Sequence, residues 1–86
     1  MSKKVVQNFM TVRYPVTSLD LANPRISKVH VAPKQRIQAY ALLVSVETSK
    51  AVFDISSDYG GLVMSVAVKV DQHVFEDDDL VTILRD

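Results

Sequence analysis

Lys50 is the residue best placed to take part in chemistry, because it lies in a short polar stretch, residues 47–50, between two apolar segments. Apolar, β-branched segments separated by a few polar residues predict a β-hairpin, here with the lysine at its tip. An exposed lysine is ordinarily protonated and is a poor nucleophile, so its acylation requires an enzyme that delivers an activated acyl group. Taken alone, Lys50 is typical of a solvated hairpin lysine.

The other polar groups lack the spacing that a catalytic or metal site requires. His30 lies on the polar face of a predicted strand and His73 in a turn, and no serine and carboxylate accompany them in a pattern that predicts a triad. The acidic turn at residues 76–79 lacks the ligand spacing of a calcium loop and is typical of a solvated turn, with docking as a second interpretation. The chain has no cysteine, which excludes thiolate ligands and disulfides. We expect neither a catalytic nor a metal site.

Length and charge limit the remaining function classes. The 86 residues predict one small domain, with a flexible N-terminal tail over residues 1–11 and the folded domain over residues 12–86. Lys plus Arg and Asp plus Glu both number 10, so the chain has no basic field to attract nucleic acid or a membrane surface. No apolar run is long enough for a membrane span or a secretory signal. We therefore expect a cytoplasmic protein that is monomeric as an isolated domain.

The pattern of apolar residues predicts the elements that position Lys50. Val29 and Val31 alternate with Lys28 and His30, which is the period of a half-buried strand. Similar valine-rich segments precede and follow the lysine turn and recur to the end of the chain. No segment has a convincing helical period, so the sequence predicts an all-β fold.

The two halves of the chain form an internal repeat. A shift of 37 positions aligns them without a gap and superposes apolar residues through two turns. The aligned pairs include Ile26 with Val63, Val29 with Val66, Val31 with Val68, Leu43 with Leu80, Val44 with Val81, and Val46 with Ile83. Two similar units packed face to face are expected, related by an approximate two-fold axis. Since position 50 maps just beyond residue 86, the lysine turn should lie at the end opposite the C-terminus.

Glu47-Thr48-Ser49-Lys50-Ala51 resembles the Glu-Thr-Asp-Lys-Ala turn of lipoyl domains, the swinging-arm carriers of 2-oxoacid dehydrogenase complexes. The likeness extends to Tyr14-Pro15, Asp54-Ile55-Ser56-Ser57, Gly61-Leu62-Val63 and residues 74–83, and covers about residues 12–86. The chain is identified as a divergent member of the biotin/lipoyl attachment family, because serine replaces the usual aspartate before the lysine. The resemblance implies a flattened barrel or sandwich of two four-stranded antiparallel sheets with quasi-two-fold symmetry.

The resemblance also implies a function. Lipoate would be joined to Lys50 by an amide bond, with Glu47, Thr48, Ser49 and Ala51 forming the turn that is recognised. The domain would not be catalytic itself; its partners would be a lipoate-attaching enzyme and the dehydrogenase and acyltransferase components of a multienzyme complex. Biotin carriers share the fold but typically have methionine on both sides of the lysine, so lipoate is favoured over biotin. An unmodified interaction module is the third hypothesis.

Overall fold

The computed structural model describes residues 8–15 and 23–86, and these residues form seven β-strands and no helix. The strands are β1 (Phe9–Arg13), β2 (Arg25–Val29), β3 (Arg36–Ile37), β4 (Leu42–Glu47), β5 (Val52–Ser56), β6 (Gly61–Val66) and β7 (Asp79–Arg85). Aliphatic and β-branched side chains are frequent in them, as expected for residues that pack on a pleated surface. The prediction of an all-β fold is confirmed.

The described strands form two antiparallel sheets, which are not closed into a barrel. One sheet has the order β1-β7-β6-β3 and the other has the order β2-β4-β5. Both contribute to a single apolar core. Its most deeply buried members are Ile26, Leu43, Val44, Val46, Val63, Val74, Leu80, Val81 and Ile83. Burial of this aliphatic surface holds the two sheets together.

The second sheet contains three strands rather than the four that the resemblance implied. A single antiparallel bridge between Arg25 and His73 takes the place of the fourth strand. In the other half of the repeat, β3 pairs with β6 through two residues. The next residue pair along this ladder would be Pro24 with Val74. The carbonyl of Pro24 accepts the N–H of Val74 at 3.1 Å, but proline has no N–H to donate in return. The proline therefore stops this ladder after one residue.

The 37-residue repeat is present in the pairing of the strands. β2 pairs with β4 in the register in which β6 pairs with β7, and both pairs contain a bulge at the equivalent position. The turns repeat as well: the side-chain carbonyls of Gln35 and Gln72 each accept the N–H of the residue three positions earlier, both at 3.1 Å. Lys34 and Asp71, which precede them, both have positive φ. The expected quasi-two-fold symmetry is therefore confirmed.

A second pair of matching bulges enlarges the core. The register shifts beside Leu43 in the β4–β5 pair and beside Leu80 in the β1–β7 pair, so each leucine is an extra residue on its strand. As a result, Leu43 and the next residue, Val44, both have 0% exposure, and so do Leu80 and Val81. Strict alternation would have placed one residue of each pair on the outer face. The bulges therefore turn two consecutive apolar side chains inward in each sheet.

β1 begins at Phe9, before the domain start that the sequence predicted at residue 12. Residues 9–11 pair with β7 and are part of the four-stranded sheet, so the prediction of a tail was wrong for them. Pairing with a partner far along the chain orders this segment, and no local pattern indicates it. Residues 1–7 of the predicted tail lie outside the described residues.

Candidate functional site

β4 and β5 form an antiparallel hairpin whose last residue pair is Glu47 with Val52. Lys50 lies in the turn between them, and its side chain is exposed. Ser49 and Ala51, on either side of it, are also exposed. The predicted hairpin is confirmed, and it presents the amine of the lysine to solvent at one end of the second sheet.

Thr48 closes this turn with both its backbone and its side chain. Its N–H donates to the carbonyl of Ala51 at 2.8 Å, and its Oγ1 accepts the N–H groups of Lys50 at 3.2 Å and Ala51 at 3.0 Å. The hydroxyl also donates to the Ala51 carbonyl at 3.1 Å. Threonine hydroxyls commonly bond nearby backbone groups in turns. Thr48 is only 9% exposed, so these bonds are partly shielded from water.

Arg25, at the start of β2, contacts the end of β4 beside the turn. Its Nη2 lies 3.0 Å from Glu47 Oε2, and its Nη1 lies 3.5 Å from Asp71 Oδ1. The side chains of Arg25 and Glu47 are 40% and 46% exposed, so solvent screening limits the pair to less than about 1 kcal/mol. The contact could not be found from the sequence, because only strand pairing brings these distant residues together. Glu47 of the predicted turn therefore faces an arginine.

We expect Arg25→Gln to lower the free energy of unfolding by about 0.5–1 kcal/mol at low ionic strength. Most of this loss should disappear in roughly 1 M salt, where the Debye length is about 3 Å. Urea unfolding at the two salt concentrations measures the effect. Arg13→Gln is the matched control with a smaller expected loss, because the pair of Arg13 with Asp79 is more exposed. A loss of several kcal/mol that persists in high salt would contradict the assignment of a screened pair.

The repeat makes the lysine end comparable with the opposite end of the fold. At the lysine end, the cross-strand row of the second sheet consists of Val52, Glu47 and Arg25. At the opposite end, the equivalent row of the first sheet consists of Phe9, Leu84, Leu62 and Arg36, and Arg36 Nη1 lies 2.7 Å from Asp86 Oδ1. Both ends therefore have an arginine ion pair, but Leu84 occupies the position that Glu47 has beside the lysine turn. The symmetry of the backbone does not extend to the side chains of these two rows.

His30, Ser45 and Asp54 form a chain of hydrogen bonds across the second sheet. His30 Nε2 lies 2.8 Å from Ser45 Oγ, and Ser45 Oγ donates to Asp54 Oδ1 at 2.5 Å. The serine lies between the histidine and the carboxylate, whereas a catalytic triad requires the histidine in the middle. Ser45 is also only 4% exposed. These hydrogen bonds link His30, which follows β2, to the two strands of the lysine hairpin, and they do not form a nucleophilic site.

The acidic turn at residues 76–79 contributes to the fold. Asp78 Oδ2 accepts the N–H of Phe75 at 2.8 Å, and Asp79 Oδ1 lies 2.9 Å from Arg13 Nε. Within residues 8–15 and 23–86, no three His, Asp or Glu side chains are grouped closely enough to hold a metal ion. The same part of the chain has no helix that is long and apolar enough to cross a membrane.

The fold is similar to that of a solved lipoyl domain. The structure is that of the lipoyl domain of the 2-oxoglutarate dehydrogenase complex from Azotobacter vinelandii, determined in solution. The two match with a TM-score of 0.68 and 18% sequence identity, over 88% of this chain and 95% of that one. At this level of identity the match shows the fold. No curated protein sequence matches the chain.

A protein-family model shows the classification directly. The model for biotin/lipoyl domains, described as "Biotin-requiring enzyme", matches residues 10–83. This range contains the complete Lys50 hairpin and most of both sheets. The chain therefore belongs to the biotin/lipoyl attachment family, whose domains carry lipoate or biotin and are typically not catalytic themselves.

Proposed function

We propose that this protein is a lipoyl carrier domain and that Lys50 is its attachment residue. One observation carries the proposal: in a chain of the biotin/lipoyl family, Lys50 lies exposed in the turn of the β4–β5 hairpin. The hydroxyl of Thr48 holds that turn closed, and the side chains on both sides of the lysine also face solvent. An attaching enzyme can therefore approach the amine from outside the fold.

The surroundings of Lys50 fit a covalently attached group. Among the described residues the lysine has no salt-bridge partner, so its amine does not have to leave an ion pair to react. The attaching enzyme supplies an activated lipoyl group. An amide bond forms between Nζ and the acyl carbon, the bond from that carbon to the activating group breaks, and Nζ loses two of its three protons to solvent or base. Lysine thereby loses its positive charge.

The residues beside the lysine favour lipoate over biotin. Ser49 and Ala51 occupy the positions where biotin carriers typically have methionine. Met10 and Met64 are far from the turn in sequence, and Met10 pairs with Ile83 in the other sheet. Glu47, Thr48, Ser49 and Ala51 would then be the turn residues that the attaching enzyme recognises.

A carrier domain supports a reaction sequence without being catalytic itself. Lipoate, when bound, supplies a dithiolane that exchanges thiol for disulfide and carries acyl groups. The protein contributes the rigid hairpin and the tether, which raise the effective concentration of the carried group at each partner. We infer that the partners are the dehydrogenase and acyltransferase components of a multienzyme complex, as in the complex that contains the matched lipoyl domain.

Intact-mass measurement tests the proposal. The wild-type chain, produced with a lipoate-attaching enzyme and lipoate, is expected to gain the mass of one lipoyl group. Lys50→Arg should gain none, because arginine keeps the charge but has no acylatable amine. Lys34→Arg is the matched control, since Lys34 is also an exposed turn lysine, and it should be modified like the wild type.

Two outcomes would contradict the proposal. An unmodified wild-type chain would support the interaction-module hypothesis, and an adduct that persists in Lys50→Arg would place the attachment elsewhere. A parallel preparation with a biotin-attaching enzyme and biotin tests the cofactor. Preferential gain of biotin would overturn the choice of lipoate while keeping Lys50 as the attachment residue.

A further inference from the structure

We propose that the hydroxyl of Thr48 is the positioning group for the modification of Lys50. This inference rests on the proposed carrier function. The hydroxyl contacts the backbone and not the amine, so Thr48 acts through the conformation of the turn. It would hold Lys50 in the conformation that the attaching enzyme binds, before that enzyme arrives.

The hydrogen bonds of Thr48 Oγ1 converge on the residues that determine where the lysine points. It accepts the N–H of Lys50 itself and the N–H of Ala51, at 3.2 and 3.0 Å. The φ angle of Lys50 and the direction of its Cα–Cβ bond depend on the peptide groups that these two amides belong to. A single oxygen therefore restrains the backbone on both sides of the lysine.

No other side chain of the turn makes these bonds. Within the described residues, the hydroxyl of Ser49 has no hydrogen-bond partner, and the alanine has no polar group. Thr48 is the buried residue of the turn, whereas its three neighbours toward the apex are exposed. Shielding from water makes exchange of these bonds for solvent less favourable. The serine side chain thus remains available to a partner.

The repeat shows that the hydroxyl is particular to the lysine end. A shift of 37 positions brings Thr48 to Arg85, at the opposite end of the fold. Arg85 does not cap a turn there; its guanidinium lies 3.9 Å from the centre of the Tyr59 ring. The contacts of the Thr48 hydroxyl therefore belong to the lysine turn and are not repeated at the equivalent position of the other half.

Thr48→Val and Thr48→Ser separate the hydroxyl from the shape of the side chain. Valine has the shape of threonine but no hydroxyl, and serine keeps the hydroxyl. In the unmodified Thr48→Val protein we expect amide hydrogen exchange at Lys50 and Ala51 to be faster by on the order of 10-fold, because two shielded bonds are lost. Thr48→Ser should exchange like the wild type, and both variants should remain folded.

Steady-state kinetics of lipoate attachment provide the second measurement. For Thr48→Val we expect kcat/KM to fall on the order of 10-fold, mainly through a higher KM, since the competent conformation of the turn is populated less. Thr48→Ser should restore most of the wild-type value. A merely structural role would not produce a KM effect that serine rescues.

The outcomes distinguish this inference from the proposed function. If the wild-type chain is not modified at all, the carrier function fails. If the wild type is modified and Thr48→Val matches it in both exchange and KM, the positioning role of Thr48 fails alone. A Thr48→Ser protein as impaired as Thr48→Val would also overturn the inference, because it would assign the effect to the methyl group.

Discussion

Gly61→Ala is expected to lower the free energy of unfolding by roughly 3 kcal/mol or more, because β6 and β7 are too close to admit a side chain at this position. A Cβ on Gly61 would lie 2.1 Å from the carbonyl oxygen of Leu84 and 2.9 Å from its carbonyl carbon. Both are backbone atoms of β7, so no side-chain rotation relieves the overlap. The central pair of strands in the four-stranded sheet would have to separate where Gly61 pairs with Arg85.

Thermal unfolding of the variant measures this effect. A loss of 1 kcal/mol lowers the melting temperature of a domain of this size by about 4–8 °C, so a decrease of at least about 12 °C is expected. Gly60→Ala is the neighbouring control. Its Cβ would lie 3.2 Å from the carbonyl oxygen of Ile37, an approach that a shift of a few tenths of an ångström relieves, and its loss should be clearly smaller. Equal melting temperatures for Gly61→Ala and the wild type would contradict this pairing of β6 and β7.

The sequence was sufficient to predict the elements that present Lys50. The apolar, β-branched segments on both sides of the lysine predict two strands, and the four polar or small residues between them predict a turn. The repeat predicted two similar units related by an approximate two-fold axis, and the matching registers of β2 with β4 and of β6 with β7 agree with it. These local and periodic signals do not depend on contacts between distant residues.

The sequence could not predict where strand pairing stops or shifts. Pro24 is an ordinary turn residue by its local signal, and its effect on the second sheet appears only when Val74 is seen to be its partner. The sequence around Leu43 and Leu80 does not indicate a bulge either, since a run of leucine and valine is compatible with either face of a strand. Phe9 was predicted to belong to the tail because its partner in β7 lies at the other end of the chain, and no local pattern indicates that pairing.

The candidate site also has features that the sequence predicted and features that it could not predict. Lys50 and the turn residues were identified through their resemblance to the turn of lipoyl domains, but the sequence does not indicate that the Thr48 hydroxyl faces the backbone while Ser49 faces solvent. The ion pair of Glu47 with Arg25 depends on the register of β2 and β4. The sequence therefore located the lysine that we propose as the attachment residue, and only the structure showed what holds its turn in place.

Leu43→Ala and Leu80→Ala are each expected to lower the free energy of unfolding by about 3 kcal/mol, within the range of about 2–5 kcal/mol for leucine truncation in a core. Both side chains have 0% exposure and both are the extra residues of bulges. Each carbonyl also accepts an N–H from the neighbouring strand segment, that of His30 at 2.9 Å and that of Ala67 at 2.8 Å. Since the repeat gives the two leucines equivalent surroundings, the two losses should agree within about 1 kcal/mol.

Urea unfolding of both variants, with Leu42→Ala as the control, tests this equivalence. Leu42 precedes Leu43 in the same strand but is 42% exposed, so its truncation should cost less than about 1 kcal/mol. If the bulge were absent, strict alternation would put Leu43 on the outer face, and Leu42→Ala would be the more damaging change. That reversal would contradict the inward turn of two consecutive residues. Equal losses of unfolding free energy for Leu43→Ala and Leu80→Ala would instead show that both sheets, the one bearing the lysine turn and the one opposite it, use the same kind of bulge to fill a small core.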